Sequence, residues 1–432
     1  MATGHICKPL GSIKNKKMRT KLKILNLIII LILITSCKKK TNNEGIPIWM
    51  NLSNQYTWKI TATPNKFPEF DLDNDLRYNS NRSKISWFNI DSEIIISPTP
   101  LTRPIVRKDF FDESNSSDYI EIFNISYYPS VRGMYNFDSE KTNYSQGISE
   151  NGLLNDPKSR WAGIQRDADA PYNINKFNYI DFWLLNPFSI GQNSTGKIYI
   201  NYGEISEDIL KDGFISDESR ISENHEDLND TSVYGIMSRY IPIYWGFPNN
   251  LEDWNKQDVG LDCLSDTHEQ DFFSKELEKY NVICNDSAYD IIINDPSADN
   301  FMHYSSIISD DVIKKYYYYN GLDKNTPHPS LQKPGYSNLP DTEDLNLDLQ
   351  LKKKNSYFEY EIIVQPDLMT NGNNHIVESK NINGEEWLHF SIPTTDYSNK
   401  IGLPENFEVF RIYLTDFETN IHLRFLELKL SE

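Results

Sequence analysis

Runs of alternating apolar and polar residues constrain the fold of this chain most. In YFEYEIIV, residues 357–364, every second side chain from Phe358 onward is aromatic or aliphatic. A period of two with one apolar face is typical of a half-buried antiparallel strand. Similar runs occupy 56–63, 84–90, 118–128, 177–184, 197–203, 387–393, 410–417 and 421–430. The sequence therefore predicts an all-β fold, mostly antiparallel, sandwich-like or jelly-roll-like, with a few short helices.

Brief helical patterns interrupt these strands at 206–211, 269–279 and 310–317. The first lies in NYGEISEDILKDG, residues 201–213, which contains four carboxylates. Ser206 suits an N-cap, acidic side chains suit the first helical turn, and Gly213 suits a left-handed end. We therefore predict a capped connector of one or two turns after a strand. The alternative is an acid/base pair formed by Glu204 and Asp208.

The amino end has the pattern of a secretory signal. Basic residues at 19, 21 and 23 precede an apolar run over 24–34, shorter than the about 20 residues of a membrane-spanning helix. The run ends in ITSC, residues 34–37, which is similar to a bacterial lipobox. We expect Cys37 to become the lipidated first residue of the mature protein. A coincidental cysteine after an uncleaved anchor helix is the alternative.

These features give a provisional layout of the chain. Residues 1–37 form the leader and signal, and 38–49 form a polar tether. A β-rich region follows over 50–320, and a linker with four prolines covers 321–346. Proline disfavours a sheet interior, so we place a soft boundary in this linker. Residues 347–432 form a carboxyl-terminal β-sandwich part of the same region.

Charge and cysteine content limit the partners and the covalent cross-links. With 62 acidic and 43 basic residues the formal charge is −19, which repels nucleic acid phosphates. We expect no nucleic acid partner. Cys263 and Cys284 remain after the leader cysteine and Cys37 are set aside. In an exported chain they are compatible with a disulfide worth roughly 3 kcal/mol or, equally, with two thiols.

Common catalytic and metal-binding motifs are absent from the sequence. It contains no Gly-x-Ser-x-Gly turn, no phosphate-binding Gly-x-x-x-x-Gly-Lys and no His-Glu-x-x-His. Asp71, Asp73 and Asp75 alternate as in a calcium loop, but the loop lacks the later glycine and glutamate, so a solvated turn is favoured over a weak calcium site. In DPSADNF, residues 295–301, we predict an Asx turn. We expect no enzymatic activity, no resident metal and no cofactor.

Several longer phrases resemble a known family in order and spacing. They are SWFNID at 86–91, YYPSVRGMYNFD at 127–138, RWAGIQR at 160–166, YIDFWLLNPF at 179–188, GEISEDILKDG at 203–213, QDVGLD at 257–262, PDTEDLN at 340–346 and YFEYEIIVQPDLM at 357–369. Together they resemble the amino-terminal repeat region of SprA, the outer-membrane translocon of the Bacteroidota type IX secretion and gliding-motility system. The resemblance spans roughly residues 50–430. Ala162 and Met134 depart from the family pattern, where Gly and Pro are usual.

The resemblance implies a role in an export machine and brings no catalytic residues with it. The chain is several-fold shorter than a full translocon and carries a lipobox-like segment. We therefore expect an outer-membrane component that is anchored by lipid, on either the periplasmic or the outer face, and that contacts secretion or motility proteins. It is an accessory lipoprotein, a fragment of a split translocon or a remnant. The alternative is a surface lipoprotein whose exposed aromatic residues bind glycans: Trp183, Trp245, Trp254 and Trp387.

Overall fold

The computed structural model describes residues 49–111, 117–218, 229–238, 247, 254, 256–328, 330, 336–337 and 339–432. Residues Trp49–Glu432 form one compact unit. The predicted signal sequence, Cys37 and the tether up to residue 48 lie outside the described residues, as does Trp245.

Antiparallel strands dominate the described chain. They are β1 (Trp49–Asn51), β2 (Lys59–Ile60), β3 (Ser83–Phe88), β4 (Ile122–Arg132), β5 (Trp161–Asn173), β6 (Tyr179–Leu185), β7 (Gly196–Glu204), β8 (Asn229–Thr231), β9 (Ile236–Ser238), β10 (Ser356–Val364), β11 (Ile376–Ile382), β12 (Glu385–Pro393), β13 (Asn399–Ile401), β14 (Asn406–Thr415) and β15 (Ile421–Ser431). The alternating runs noted in the sequence coincide with β3, β4, β6, β7, β10, β12, β14 and β15.

Most of these strands belong to two large sheets. The first sheet has the order β11-β12-β6-β15-β4-β3, with β1 paired to the end of β15. The second has the order β13-β10-β7-β14-β5-β2, and β8 and β9 form a separate hairpin. Every pairing between these strands is antiparallel. The predicted fold class, mostly antiparallel β with a few short helices, is therefore confirmed.

Strands from both sides of the proline-containing segment 321–346 share these sheets. In the first sheet, β15 lies between β6 and β4; in the second, β14 lies between β7 and β5. The register between β14 and β7 places Ile412 opposite Ile200. The β-rich stretches before and after the segment are thus hydrogen-bonded to each other within the same two sheets.

The main hydrophobic core contains the facing side chains of both sheets. Trp58 illustrates the packing, because its ring stacks on Phe123 of the first sheet and meets Phe410 of the second edge-on, with centroids 5.5 and 6.0 Å apart. The Trp58 indole N–H donates to the Leu52 carbonyl oxygen at 2.8 Å, which satisfies its one polar atom inside the core. This arrangement fixes the strand β2 beside the cavity described below.

Short helices lie around the sheets: α1 (Arg107–Phe111), α2 (Asp266–Phe272), α3 (Ser274–Ile283), α4 (Asp286–Ile293) and α5 (Val312–Lys315). The helix predicted over 269–279 is present as α2 and α3, divided at Phe273. The one predicted over 310–317 is reduced to α5. The one predicted over 206–211 is wrong, since this stretch has irregular backbone with a bend at 209–210. Among the described residues, every helix falls short of the length and apolarity that crossing a bilayer requires.

Candidate functional site

A cavity of about 480 Å³ lies beside β2. Its walls come from the turn before β2, from β3 and from the segment 319–342. Six aromatic rings line it: Tyr56, Trp58, Trp87, Phe301, Tyr319 and Tyr336. Tyr56 and Leu339 are 62% and 55% exposed and stand at its mouth. The lining therefore combines aromatic rings with a similar number of polar side chains, which suits a ligand or side chain that is partly polar.

An ion pair, three amides and two hydroxyl side chains form the polar part of this cavity: Lys59 with Asp341, then Gln55, Asn320, Asn325, Ser337 and Thr342. Lys59 Nζ lies 2.8 Å from Asp341 Oδ1, and Asn325 donates to Asp341 Oδ2 at 2.6 Å. Burial alone lowers the pKa of Lys59, but the contacts with Asp341 and the nearby Glu218 raise it, and the net shift is upward. Asn320 accepts a hydrogen bond from the backbone N–H of Trp87 at 2.7 Å. Because the net effect of its surroundings is to raise the pKa of Lys59, its ammonium group stays charged.

Buried carboxylates accept hydrogen bonds from backbone N–H groups near this cavity. Glu218 Oε1 accepts the Gly260 N–H at 2.8 Å and Oε2 accepts the Asp341 N–H at 2.7 Å. Asp258 Oδ1 accepts the Thr326 N–H at 2.9 Å. Burial, with the neighbouring carboxylates next in effect, raises the pKa of Glu218 well above its ordinary range. These acidic groups organise backbone that lacks regular secondary structure.

The connector after β7 is built differently from the sequence prediction. Instead of a capped helix, the N–H groups of Ile209 and Leu210 donate to Glu343 Oε1 at 2.6 and 2.9 Å, and that of Ser216 donates to Glu343 Oε2 at 3.0 Å. Ser206 Oγ accepts from the Asp208 N–H at 3.3 Å, as the cap prediction required, but no helical turn follows. Gly213 does adopt a left-handed φ of +85°.

The two carboxylates considered as an acid/base pair have separate partners. Glu204 lies 2.6 Å from Lys354 Nζ. Asp208 is buried, and burial first and the neighbouring Asp212 second raise its pKa to about 6. Lys353 Nζ is 3.9 Å from Asp208. The described contacts thus place each carboxylate beside its own lysine.

Three of the tryptophans proposed for stacking on sugars are buried, which corrects the expectation that they are exposed. Trp183, Trp254 and Trp387 are 5%, 7% and 0% exposed. The side chain of Phe110, on α1, meets Trp183 and Trp387 edge-on at 5.0 and 5.9 Å and covers this outer face of the first sheet. Trp254 donates its indole N–H to the Thr326 carbonyl oxygen. None of these three rings presents a free face for stacking on a sugar.

The remaining candidates occupy structural positions. Cys263 and Cys284 carry thiols rather than a disulfide. Asp75 binds the Arg77 guanidinium at 2.6 Å and Asp73 lies 3.5 Å from Lys211 Nζ, while Asp71 is exposed. The three aspartates thus form an exposed turn.

Sequence reasoning missed a buried acidic cluster formed by Asp262, Glu269 and Asp299. Two of the phrases noted above, QDVGLD and DPSADNF, contain two of its members. The predicted Asx turn in DPSADNF is visible as Asp295 Oδ1 accepting the Asp299 N–H at 3.0 Å. The local turn chemistry gives no sign that the Asp299 carboxylate lies close to residues thirty or more positions earlier.

The fold and the cavity define a two-sheet antiparallel β protein with a ring-lined binding cavity. Residues 276–432 match the SprA_N family model, described as "Motility related/secretion protein". This match confirms the resemblance to the SprA amino-terminal region over those residues, and relates the chain to motility and secretion proteins. No curated protein matches the chain. The resemblance noted between residues 50 and 275 remains a prediction from the phrases quoted above.

Proposed function

We propose that this chain is a non-enzymatic component of an outer-membrane secretion or gliding-motility assembly and acts through contacts with other proteins of that assembly. The observation that carries the proposal is the match of residues 276–432 to a motility and secretion family. That segment contains β10 to β15, of which β10, β12, β14 and β15 pair with strands β4 to β7. The matched residues and those before them are therefore parts of one folded body, and the proposal applies to that body.

Attachment to the membrane is proposed to occur through a lipid on Cys37. The support is the sequence pattern alone, a basic stretch, a short apolar run and ITSC at 34–37. Metabolic labelling with a fatty-acid analogue tests it: the wild-type chain takes up the label and a Cys37→Ser variant does not. Equal labelling of both would contradict the lipid anchor. Protease treatment of intact cells then distinguishes the outer face from the periplasmic face.

The mouth of the ring-lined cavity is the contact surface proposed for a partner protein. Aromatic rings next to an ion pair favour a partner that inserts an apolar or aromatic side chain. The partner's backbone would then hydrogen-bond to the amide side chains that line the cavity. Tyr56 is the best residue to change because it is 62% exposed while lining the cavity. Tyr119, at 67% exposed and outside the cavity lining, is the matched control.

The experiment is a cross-linked pull-down of the tagged full chain from its native cells. We expect outer-membrane secretion proteins to be recovered with wild type and with Tyr119→Ala, and to be reduced with Tyr56→Ala. Recovery that is equal in all three would remove the cavity from the proposal. Absence of secretion proteins from the wild-type sample would contradict the proposed function itself.

The same material, probed with a glycan panel, tests the alternative of a carbohydrate-binding surface lipoprotein. The burial of Trp183, Trp254 and Trp387 removes three of its four candidate residues, but the cavity rings offer a second location for stacking on sugar. Glycan retention that depends on Tyr56, without any secretion partner, would favour this alternative.

A further inference from the structure

Three carboxylates from separate parts of the chain meet inside the protein. Asp262 lies two residues after Gly260, Glu269 belongs to α2, and Asp299 lies in the loop after α4. Each places one carboxylate oxygen so that the three oxygens lie within 4.8 Å of one another. All three side chains are 0% exposed.

Two oxygens in this cluster accept no hydrogen bond. Asp262 accepts from the Leu264 N–H at 3.0 Å and from the Ser297 hydroxyl at 2.6 Å. Glu269 Oε2 accepts the Ser297 N–H at 3.0 Å, and Asp299 Oδ2 accepts the Tyr135 hydroxyl at 2.9 Å. Glu269 Oε1 and Asp299 Oδ1 are buried and have no hydrogen-bond donor in the described structure. A buried oxygen of this kind costs free energy unless something binds it.

Positive charge near the cluster comes from the buried Lys84, which interacts electrostatically with Asp299, whereas the larger electrostatic effects on the three members come from neighbouring carboxylates. Among the described ion pairs, none joins Asp262, Glu269 or Asp299 to a lysine, arginine or histidine. Lys324, the nearby ammonium, lies 2.6 Å from Asp323 and 2.8 Å from Asp266 instead. Burial first, and the neighbouring carboxylates second, raise the pKa of all three members of the cluster. Either protons or a metal cation must compensate this charge.

We propose that Asp262, Glu269 and Asp299 bind a divalent cation of the calcium class. Oxygen atoms are the only ligand type offered, which favours a hard cation over zinc or copper. Because calcium binds oxygen at about 2.3–2.6 Å, two oxygens on one ion can be up to about 5 Å apart, and the observed limit of 4.8 Å fits. Magnesium needs a tighter octahedron and retains several waters, which suits a fully buried site less.

Such an ion would have a structural role. It would connect the loop at 260–264, helix α2 and the loop at 294–300, whose backbones lack a shared sheet. Gly260 allows the loop at 260–264 to approach Asp299, since a Cβ at position 260 would clash with Asp299 Oδ2 at 2.3 Å. Binding to a site formed only in the folded state stabilises that state.

The first test is elemental analysis of the full chain, purified in detergent with calcium present and then dialysed into metal-free buffer. We expect one tightly held calcium per chain. Removing it with a chelator should lower the midpoint temperature of unfolding by several degrees, and adding CaCl₂ should restore it. Tb³⁺, an ion of similar size to Ca²⁺, should show luminescence sensitised by Tyr135 and competed away by Ca²⁺.

Variants then assign the ion to this cluster. Glu269→Gln combined with Asp299→Asn keeps the side-chain volumes and should abolish calcium retention and Tb³⁺ luminescence. Asp71→Asn combined with Asp73→Asn, in the exposed aspartate turn, should retain both. A wild-type chain that holds no metal, gives no luminescence and unfolds identically with and without calcium would overturn the proposal and leave shared protons as the compensating charge. Should the double variant fail to fold, these wild-type measurements decide the question.

Discussion

Glu69 makes a quantitative prediction about the pH dependence of stability. Its side chain is 0% exposed, Oε2 accepts from the Asn81 amide at 2.8 Å, and Oε1 accepts from the Trp161 indole at 3.3 Å. These hydrogen bonds favour the carboxylate, but burial has the larger effect and raises the pKa from 4.5 to about 7. The folded protein therefore keeps a proton at pH values where the unfolded chain has released it.

The sign and size of the effect follow from this difference. A raised carboxyl pKa contributes stability that is fully present below 4.5 and is lost as the pH rises to about 7. The interval between the two values corresponds to about 3 kcal/mol in the free energy of unfolding. In Glu69→Gln the amide does not titrate, so this contribution no longer changes with pH.

Urea unfolding of wild type and Glu69→Gln at about pH 5 and about pH 8 measures the effect. Because the unfolded chain has already released most of this proton at pH 5, we expect wild type to lose about 2.5 kcal/mol relative to the variant between the two conditions. Asp71→Asn, at an exposed position, serves as the control and should follow wild type throughout. A stability difference between wild type and Glu69→Gln that is the same at both pH values would refute the reasoning.

Two further substitutions test the packing of the connector and of the second sheet. Glu343→Ala leaves the buried N–H groups at 209, 210 and 216 without acceptors. At about 1–2 kcal/mol for each group, we expect urea unfolding to show a loss of about 3–6 kcal/mol in the free energy of unfolding. The control Glu204→Ala removes a contact with an exposed lysine and should unfold close to wild type. Gly163→Ala puts a Cβ 2.6 Å from that of Tyr413, so we expect a loss of about 1–3 kcal/mol. Unchanged unfolding midpoints for Glu343→Ala or Gly163→Ala would contradict the corresponding contact.

The strands were predictable because their evidence is local. In β10 and β12 the alternation of side chains is present in the sequence itself, and burial in the structure follows it over 360–364 and 388–392. The connector at 206–211 was not predictable in the same way. Its residues have good helix-capping chemistry, yet the donors at 209 and 210 bind Glu343, more than 130 positions away. A distant acceptor replaced the helix that the local sequence favoured.

The candidate sites were unpredictable from sequence for the same reason, because their residues come from distant parts of the chain. The ring-lined cavity joins the turn at 55–57 to the segment 319–342, and the acidic cluster joins residues 262, 269 and 299. Neither has a spacing that a motif describes. Trp183 and Trp387 were predicted to be exposed because a tryptophan in an alternating strand can face either way, and only the position of Phe110 shows that their face of the sheet is covered.

The position of β14 and β15 within the sheets has a consequence for how the chain reaches its native state. Each is an interior strand whose two neighbours come from the range 122–204, so each sheet stays divided until the residues after 405 are available. Contacts of such large sequence separation slow folding. A chain that emerges from its amino end must therefore keep β4 to β7 soluble with unpaired edges for the whole interval. We expect this interval to be the period when holding chaperones engage the chain most strongly.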